Sequence, residues 1–156
     1  MKKIIYSLAA SLVLAMGLSA VSFNQDSLKV GFEGYKTESM VGVAGEFKEV
    51  KYKFSKNTNT LASYLKGASA IVKPSSAFMG EGNDVITDNI TKVFFPNLLG
   101  NSDIKVVFKD IVAGDDKGVI SARVTIDKKS ALVPLSYTIE NDKFVAKGQL
   151  DYIFLK

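Results

Sequence analysis

The chain has no cysteine, no histidine and no tryptophan, and Arg123 is its one arginine. Without Cys or His, the common zinc sites, thiolate nucleophiles and Ser-His-Asp triads are closed. A carboxylate pair, a Ser-Lys dyad or a metal held on oxygens is still chemically open, and the region from Gly80 to Asn89 carries Asp, but nothing in the spacing pairs such groups. Enzyme is the weaker class, and no catalytic residue, cofactor or metal is expected. A single arginine is too few for forked phosphate recognition. The charge is also mild: 20 Lys and Arg against 16 Asp and Glu give +4, and loss of Lys2 and Lys3 with a leader leaves 18 against 16, or +2. Nucleic acid is therefore not an expected partner. With 47% apolar and 23% charged residues, the chain is too apolar for disorder, and 156 residues suffice for one domain with a real core.

Met1 to Ala20 has a basic start at Lys2 and Lys3, an apolar run from Ile4 to Leu18 and small residues at its end. This is the pattern of a secretory signal peptide. Cleavage after Ala20 is expected, with Ala20-Val21-Ser22 as a second site, leaving residues 21–156 as one exported domain, periplasmic or secreted. A membrane anchor is the competing reading, but the run is short against a span of about 20 residues. With no Cys at the junction there is no lipid anchor on Cys. No later segment is apolar enough to span a membrane as a helix, so the mature chain is not expected to be membrane-spanning.

The rest is dominated by period-two alternation, which sends successive side chains to opposite faces of a strand. Between Val119 and Leu155, Ile120, Ala122, Val124 and Ile126 alternate with polar residues. The same holds for Val133, Leu135, Tyr137 and Ile139, and then for Phe144, Ala146, Gly148, Leu150, Tyr152 and Phe154. These are three consecutive antiparallel strands with one apolar face. Upstream, Leu28, Val30 and Phe32 mark a first strand, and Val41, Val43, Gly45 and Phe47 a second. The apolar phase then switches to Val50, Tyr52 and Phe54, which predicts a bulge or bend near Lys48-Glu49. Gly45 is either a bend residue or a point of close approach. Leu61 to Leu65 reads as a helical turn, Ala68 to Lys73 as a strand ending at Pro74, and Ile104 to Lys109 as another strand. Gly114 to Gly118 reads as a hairpin connection. Asn83 or Asp84 can cap a helix that Pro96 stops. In that helix Val85, Ile86, Ile90, Val93 and Phe94 share one side, and Asn97 to Ser102 follows as a loop.

The architecture expected is all-β: about eight antiparallel strands in a row, with a helical insertion between roughly 83 and 95. Eight strands closed into a barrel enclose either a packed interior or room for one small ligand. The apolar face mixes aromatics with Gly45, Ala122, Ala146 and Gly148, and such a mixture fits a dry core or a slot equally well.

Several of these pieces, in this order, resemble the YceI-like family of exported polyisoprenoid-binding, lipocalin-like proteins. Val41-Gly-Val-Ala-Gly-Glu-Phe47 is similar to that family's V-x-G-x-F strand, and Gly82-Asn83 through Phe94-Phe95 to its helical region leading into Pro. Val133-Pro134-Leu135 resembles its K-P-V segment, and Lys147 to Phe154 its close. The family's Arg-Asp pair falls on Thr87-Asp88, without the Arg, and its final Asp-Phe falls on Ile153-Phe154. The resemblance spans about Ser27 to Leu155. It implies a lipocalin-like barrel with a tunnel for a polyisoprenoid, quinone-like or fatty-acyl chain, and a homodimer as a possible state.

The leading function is thus a carrier for a long apolar molecule, without covalent chemistry. At about 0.8 kcal/mol per buried CH₂, a chain of about 14 carbons supplies enough free energy for micromolar binding after association costs. Expected lining residues are Phe32, Val43, Phe47, Tyr52, Phe54, Phe108, Val124, Tyr137, Phe144, Gly148 and Tyr152, each equally readable as core. Tyr137 and Tyr152 could offer a hydroxyl to a polar head. The alternatives are an exported partner-binding or adhesion domain with a filled core, using the strip Lys48, Lys51, Lys53 and Lys56, and a small outer-membrane barrel. Against the latter stand the missing Trp, the helical insertion and an end at Leu155-Lys156.

Overall fold

The computed structural model describes residues 5–17, 20–24, 27–35 and 42–151, with side chains for 22–24, 27–33 and 44–150. Its chain is mostly β. In order come β1 (Ile5–Gly17), β2 (Ala20–Phe23), β3 (Lys29–Tyr35), β4 (Gly42–Phe47), β5 (Val50–Lys53), α1 (Leu61–Leu65), β6 (Ser69–Val72) and β7 (Ala77–Phe78). A helical segment follows, made of α2 (Asp84–Asn89), a π-helical turn (Ile90–Phe94) and α3 (Phe95–Leu99). The chain ends in β8 (Ile104–Ala113), β9 (Lys117–Ile126), β10 (Lys129–Glu140) and β11 (Lys143–Asp151).

The strands form one antiparallel sheet in the order β5-β6-β8-β9-β10-β11-β1-β3-β4-β7, with β2 beside β1. It is curled. The strands β4 and β5 lie towards opposite ends of that order yet are joined by only Lys48 and Glu49. The phase switch expected there is present: Phe47 is buried before the break, and Val50 and Tyr52 are half-buried after it. Two residues out of the ladder turn the strand and keep one apolar face inward on both sides.

The best-defined wall is the β8–β11 meander. Its hairpins are tight because the chain carries the right turn residues. Asn141 and Asp142 sit at φ of 52° and 60°, the left-handed region these side chains tolerate and a two-residue turn requires. Ile120, Ala122, Val124 and Ile126 on β9, Val133, Leu135 and Tyr137 on β10, and Phe144 and Ala146 on β11 are all buried, as alternation requires. One irregularity breaks the pattern on β8. The register slips between Phe108 and Asp110, so the inward side passes from Val106 and Phe108 to Ile111.

The helical segment departs from expectation in three ways. Asn83 does not cap it through its side chain, but donates instead to the Met79 carbonyl at 3.1 Å. Pro96 does not stop it. Proline has no N–H for the carbonyl four residues back, and its ring crowds that carbonyl. The turn ahead of it widens to i→i+5, with the Phe95 N–H reaching the Ile90 carbonyl, and the helix runs on to Leu99. Asn97 and Leu98 are therefore helical, not loop. The inserted residue also rotates the buried face. Ile90, Phe95 and Leu99 point inward, whereas Val85, Ile86 and Val93 stay exposed. Leu61–Leu65 does form a helical turn, fastened by a reciprocal Thr60–Ser63 capping box.

The stretch with the pattern of a leader contributes β1, the longest strand. Along Ile5–Val13 it pairs antiparallel with β11, and along Tyr6–Ser11 with β3.

Candidate functional site

Inside the curl lie two apolar cavities of about 60 Å³ each. The first is floored by the Phe32, Phe47 and Phe95 rings, whose centroids stand 4.8 to 5.7 Å apart. Leu98 and Leu99 of α3 close its end, and Ala122, Val124, Gly148 and Leu150 form its walls. The second is bounded by Tyr52, Phe54, Phe108, Phe144, Ala146 and the small residues Ala68, Ser69 and Ala70 at the start of β6. Val106 and Leu135 line both, so two side chains form the partition between them.

Glycine makes room here by what it lacks. A Cβ on Gly148 would collide with the Leu135 side chain and stand 2.9 Å from the Pro134 carbonyl oxygen. At Gly45, the Met79 sulfur and the Phe32 ring occupy the space a Cβ would need, at 2.6 and 2.8 Å. Gly45 is thus a point of close approach, and what approaches is the protein's own core.

The interior offers little polarity. Among the described residues none that is buried is charged, and no three His, Cys, Asp or Glu side chains come together to hold a metal. Tyr52 borders the second cavity, and burial pushes its hydroxyl up to about 12. Tyr137 is 1% exposed and stacks on Phe144 with centroids 5.0 Å apart. Its hydroxyl is buried and meets no hydrogen-bond partner. Burial raises its pKa. That hydroxyl lies beside Gly118, and Tyr137 lines the groove at the β8–β9 hairpin end. Tyr64 is better satisfied, accepting the Phe23 N–H at 3.2 Å while stacked on Phe54.

Of the expected lining residues, Phe32, Phe47, Val124 and Gly148 border the first cavity, and Tyr52, Phe54, Phe108 and Phe144 the second. Tyr137 borders neither. Val43 stands opposite Gly34 in the β3–β4 register, but its side chain, like Tyr152 altogether, lies outside the described residues. The residues missed are chiefly Phe95, which the expected apolar side of the helix leaves out, and Leu98 and Leu99, hidden behind the helix stop assigned to Pro96. Val106 and Leu135 carry the same alternation as their neighbours, and nothing in the pattern marks them as the partition.

Chemically, such an interior can desolvate a hydrocarbon and can do little else. No family model matches the chain, so its likeness to YceI-like proteins stands as a resemblance of motifs. No curated protein matches it either. Among solved structures, the chain is similar to the crystal structure of Burkholderia cenocepacia BcnA. The likeness has a TM-score of 0.48 at 15% identity and covers 93% of this chain and 95% of that one.

Proposed function

We propose that this chain is an exported binding protein that carries one long apolar molecule, a polyisoprenoid, quinone-like or fatty-acyl chain, inside an antiparallel, lipocalin-like barrel. The observation that carries this reading is the pair of almost wholly apolar cavities, which share Val106 and Leu135 in their walls. An extended hydrocarbon needs a narrow path of that polarity, and the motifs that resemble the YceI-like family point to the same ligand class. The N-terminal leader pattern supports export.

Volume sets the condition. Ligand pockets usually hold about 300–1,000 Å³, and each cavity here holds about 60 Å³. Binding therefore requires the partition to move and the half-buried Tyr52, Phe54, Leu98 and Phe108 to swing aside, a population shift toward an open form. The same small volume favours a second reading, a barrel with a filled core whose work is done on its outer surface. The outer-membrane alternative is disfavoured by the burial pattern, since the apolar faces of β9, β10 and β11 point inward and Arg123, Ser136 and Lys147 point out.

Native mass spectrometry of the gently purified protein, with titration of a fluorescent fatty-acyl probe, separates the two. The carrier reading expects an added lipid mass or saturable uptake at one probe per chain. An unliganded mass together with no uptake leaves the filled core.

A further inference from the structure

Strand direction along the sheet carries a consequence. The strand β1 is antiparallel to both of its neighbours, β3 and β11, so those two run parallel to one another. Every other pairing in the sheet is antiparallel. Between β3 and β11 lies a slot that one antiparallel strand fills, and an up-and-down barrel cannot close across it without that strand.

The slot also runs along both cavities. Leu8 stands opposite Phe32 on one side and Gly148 on the other, and those two residues line the first cavity. Ala10 stands opposite Val30 and Ala146, which line the second. Two successive rungs of β1 therefore cross the wall of each cavity in turn.

We propose that the space between Lys29–Tyr35 and Lys143–Asp151 is a strand-acceptor site, and that its occupant is this chain's own segment Ile5–Gly17, the stretch that also has the leader pattern. With the segment seated, the sheet runs unbroken from β5 to β7. Without it, two unpaired strand edges flank an opening along the length of the apolar interior, and unpaired edges recruit strands. Access to the interior is thereby tied to the fate of the N-terminus. The inference rests on backbone pairing and not on the identity or existence of a ligand.

The chain has no cysteine of its own, so engineered pairs report cleanly. Ala9 and Lys147 are register partners, which places their Cα atoms about 4.5–5.5 Å apart, within disulfide reach. In the full-length, unprocessed chain, Ala9→Cys with Lys147→Cys should form an intramolecular disulfide under mild oxidation, and Ala9→Cys with Arg123→Cys should not. A disulfide-linked dimer would show that a second copy fills the slot, and absence of a bond, or equal bonding in the control, would show it empty of this segment; either result overturns the proposal. Hydrogen exchange supplies the second measurement. Ser7→Pro with Ser11→Pro removes two N–H groups from β1, and β3 and β11 amides should then exchange roughly tenfold faster or more while β8–β10 stays protected. Unchanged protection in β3 and β11 counts against the proposal. If the proline pair unfolds the whole chain, the cysteine pair decides alone. Failure of either test leaves probe uptake unaffected, so the carrier reading stands or falls separately.

Discussion

Truncating the partition between the cavities separates a tunnel from a core. Leu135 is 9% exposed and faces a void on either side. Leu135→Ala removes three carbons, worth about 2.4 kcal/mol at about 0.8 kcal/mol each. An added void of about 40 Å³ contributes about 1 kcal/mol more at about 24 cal/mol per Å³. The side chain already lacks partners where the cavities touch it, which holds the dispersion loss down. The expected cost is therefore about 2.5–3.5 kcal/mol, read as a lower urea midpoint at unchanged slope. In heat, it is a fall of about 5–14 °C. The same change merges the two cavities, so a fatty-acyl probe should bind up to about tenfold tighter, one step of about 1.4 kcal/mol. A cost above about 5 kcal/mol would mean that Leu135 is packed on all sides and the flanking voids do not exist. Unchanged or weaker uptake by a folded variant would mean that the partition does not stand in a ligand's path.

Gly148→Ala should cost about 1–3 kcal/mol, because its Cβ meets a backbone carbonyl that cannot swing away; a midpoint within about 0.5 kcal/mol of the parent would contradict the contact. Asp142→Gly should stabilise the protein by about 0.5–1 kcal/mol, since a two-residue hairpin turn with φ of 60° suits glycine better, and a lower denaturation midpoint would count against it. Tyr52 should resist ionisation until about pH 12 when followed by ultraviolet absorbance. The unfolded chain releases that proton near pH 10 while the folded chain still holds it, so the Tyr52 contribution to stability falls as pH rises from about 10 to about 12. In Tyr52→Phe this part of the alkaline loss should be absent, and an identical pH profile in the variant would refute the assignment.

Much of the sheet is legible in the chain because alternation and burial obey one rule. The meander from Ile104 to Asp151, the bend at Lys48-Glu49 and the hairpin connection that begins at Gly114 all follow from period two interrupted by residues with a stated reason to interrupt it. What escapes is what local pattern does not encode. Nothing before Pro96 signals that the helix will widen by one residue rather than end, so Leu98 and Leu99 read as loop and Val85 and Val93 as core. The slip between Phe108 and Asp110 depends on the partner strand. The two-residue strand Ala77–Phe78 exists only because β4 has a free edge beside it. Tyr137 shares the inward phase of Leu135, and alternation says which face a side chain takes but not how far along the barrel a cavity extends.

The pairing of β1 with β11 has a meaning in time as well as in space. Residue 17 is made long before residue 151, about 7–27 s earlier at about 5–20 residues per second. Its other partner, β3, offers a single neighbour, and an isolated two-stranded hairpin is marginal in water. Throughout synthesis, then, the most apolar stretch of the chain has no finished place to fold into, and it is available to whatever recognises an extended hydrophobic N-terminus first. Any binder of extended hydrophobic segments therefore competes with the sheet for the same thirteen residues, and the order in which the chain is made gives that binder the earlier chance.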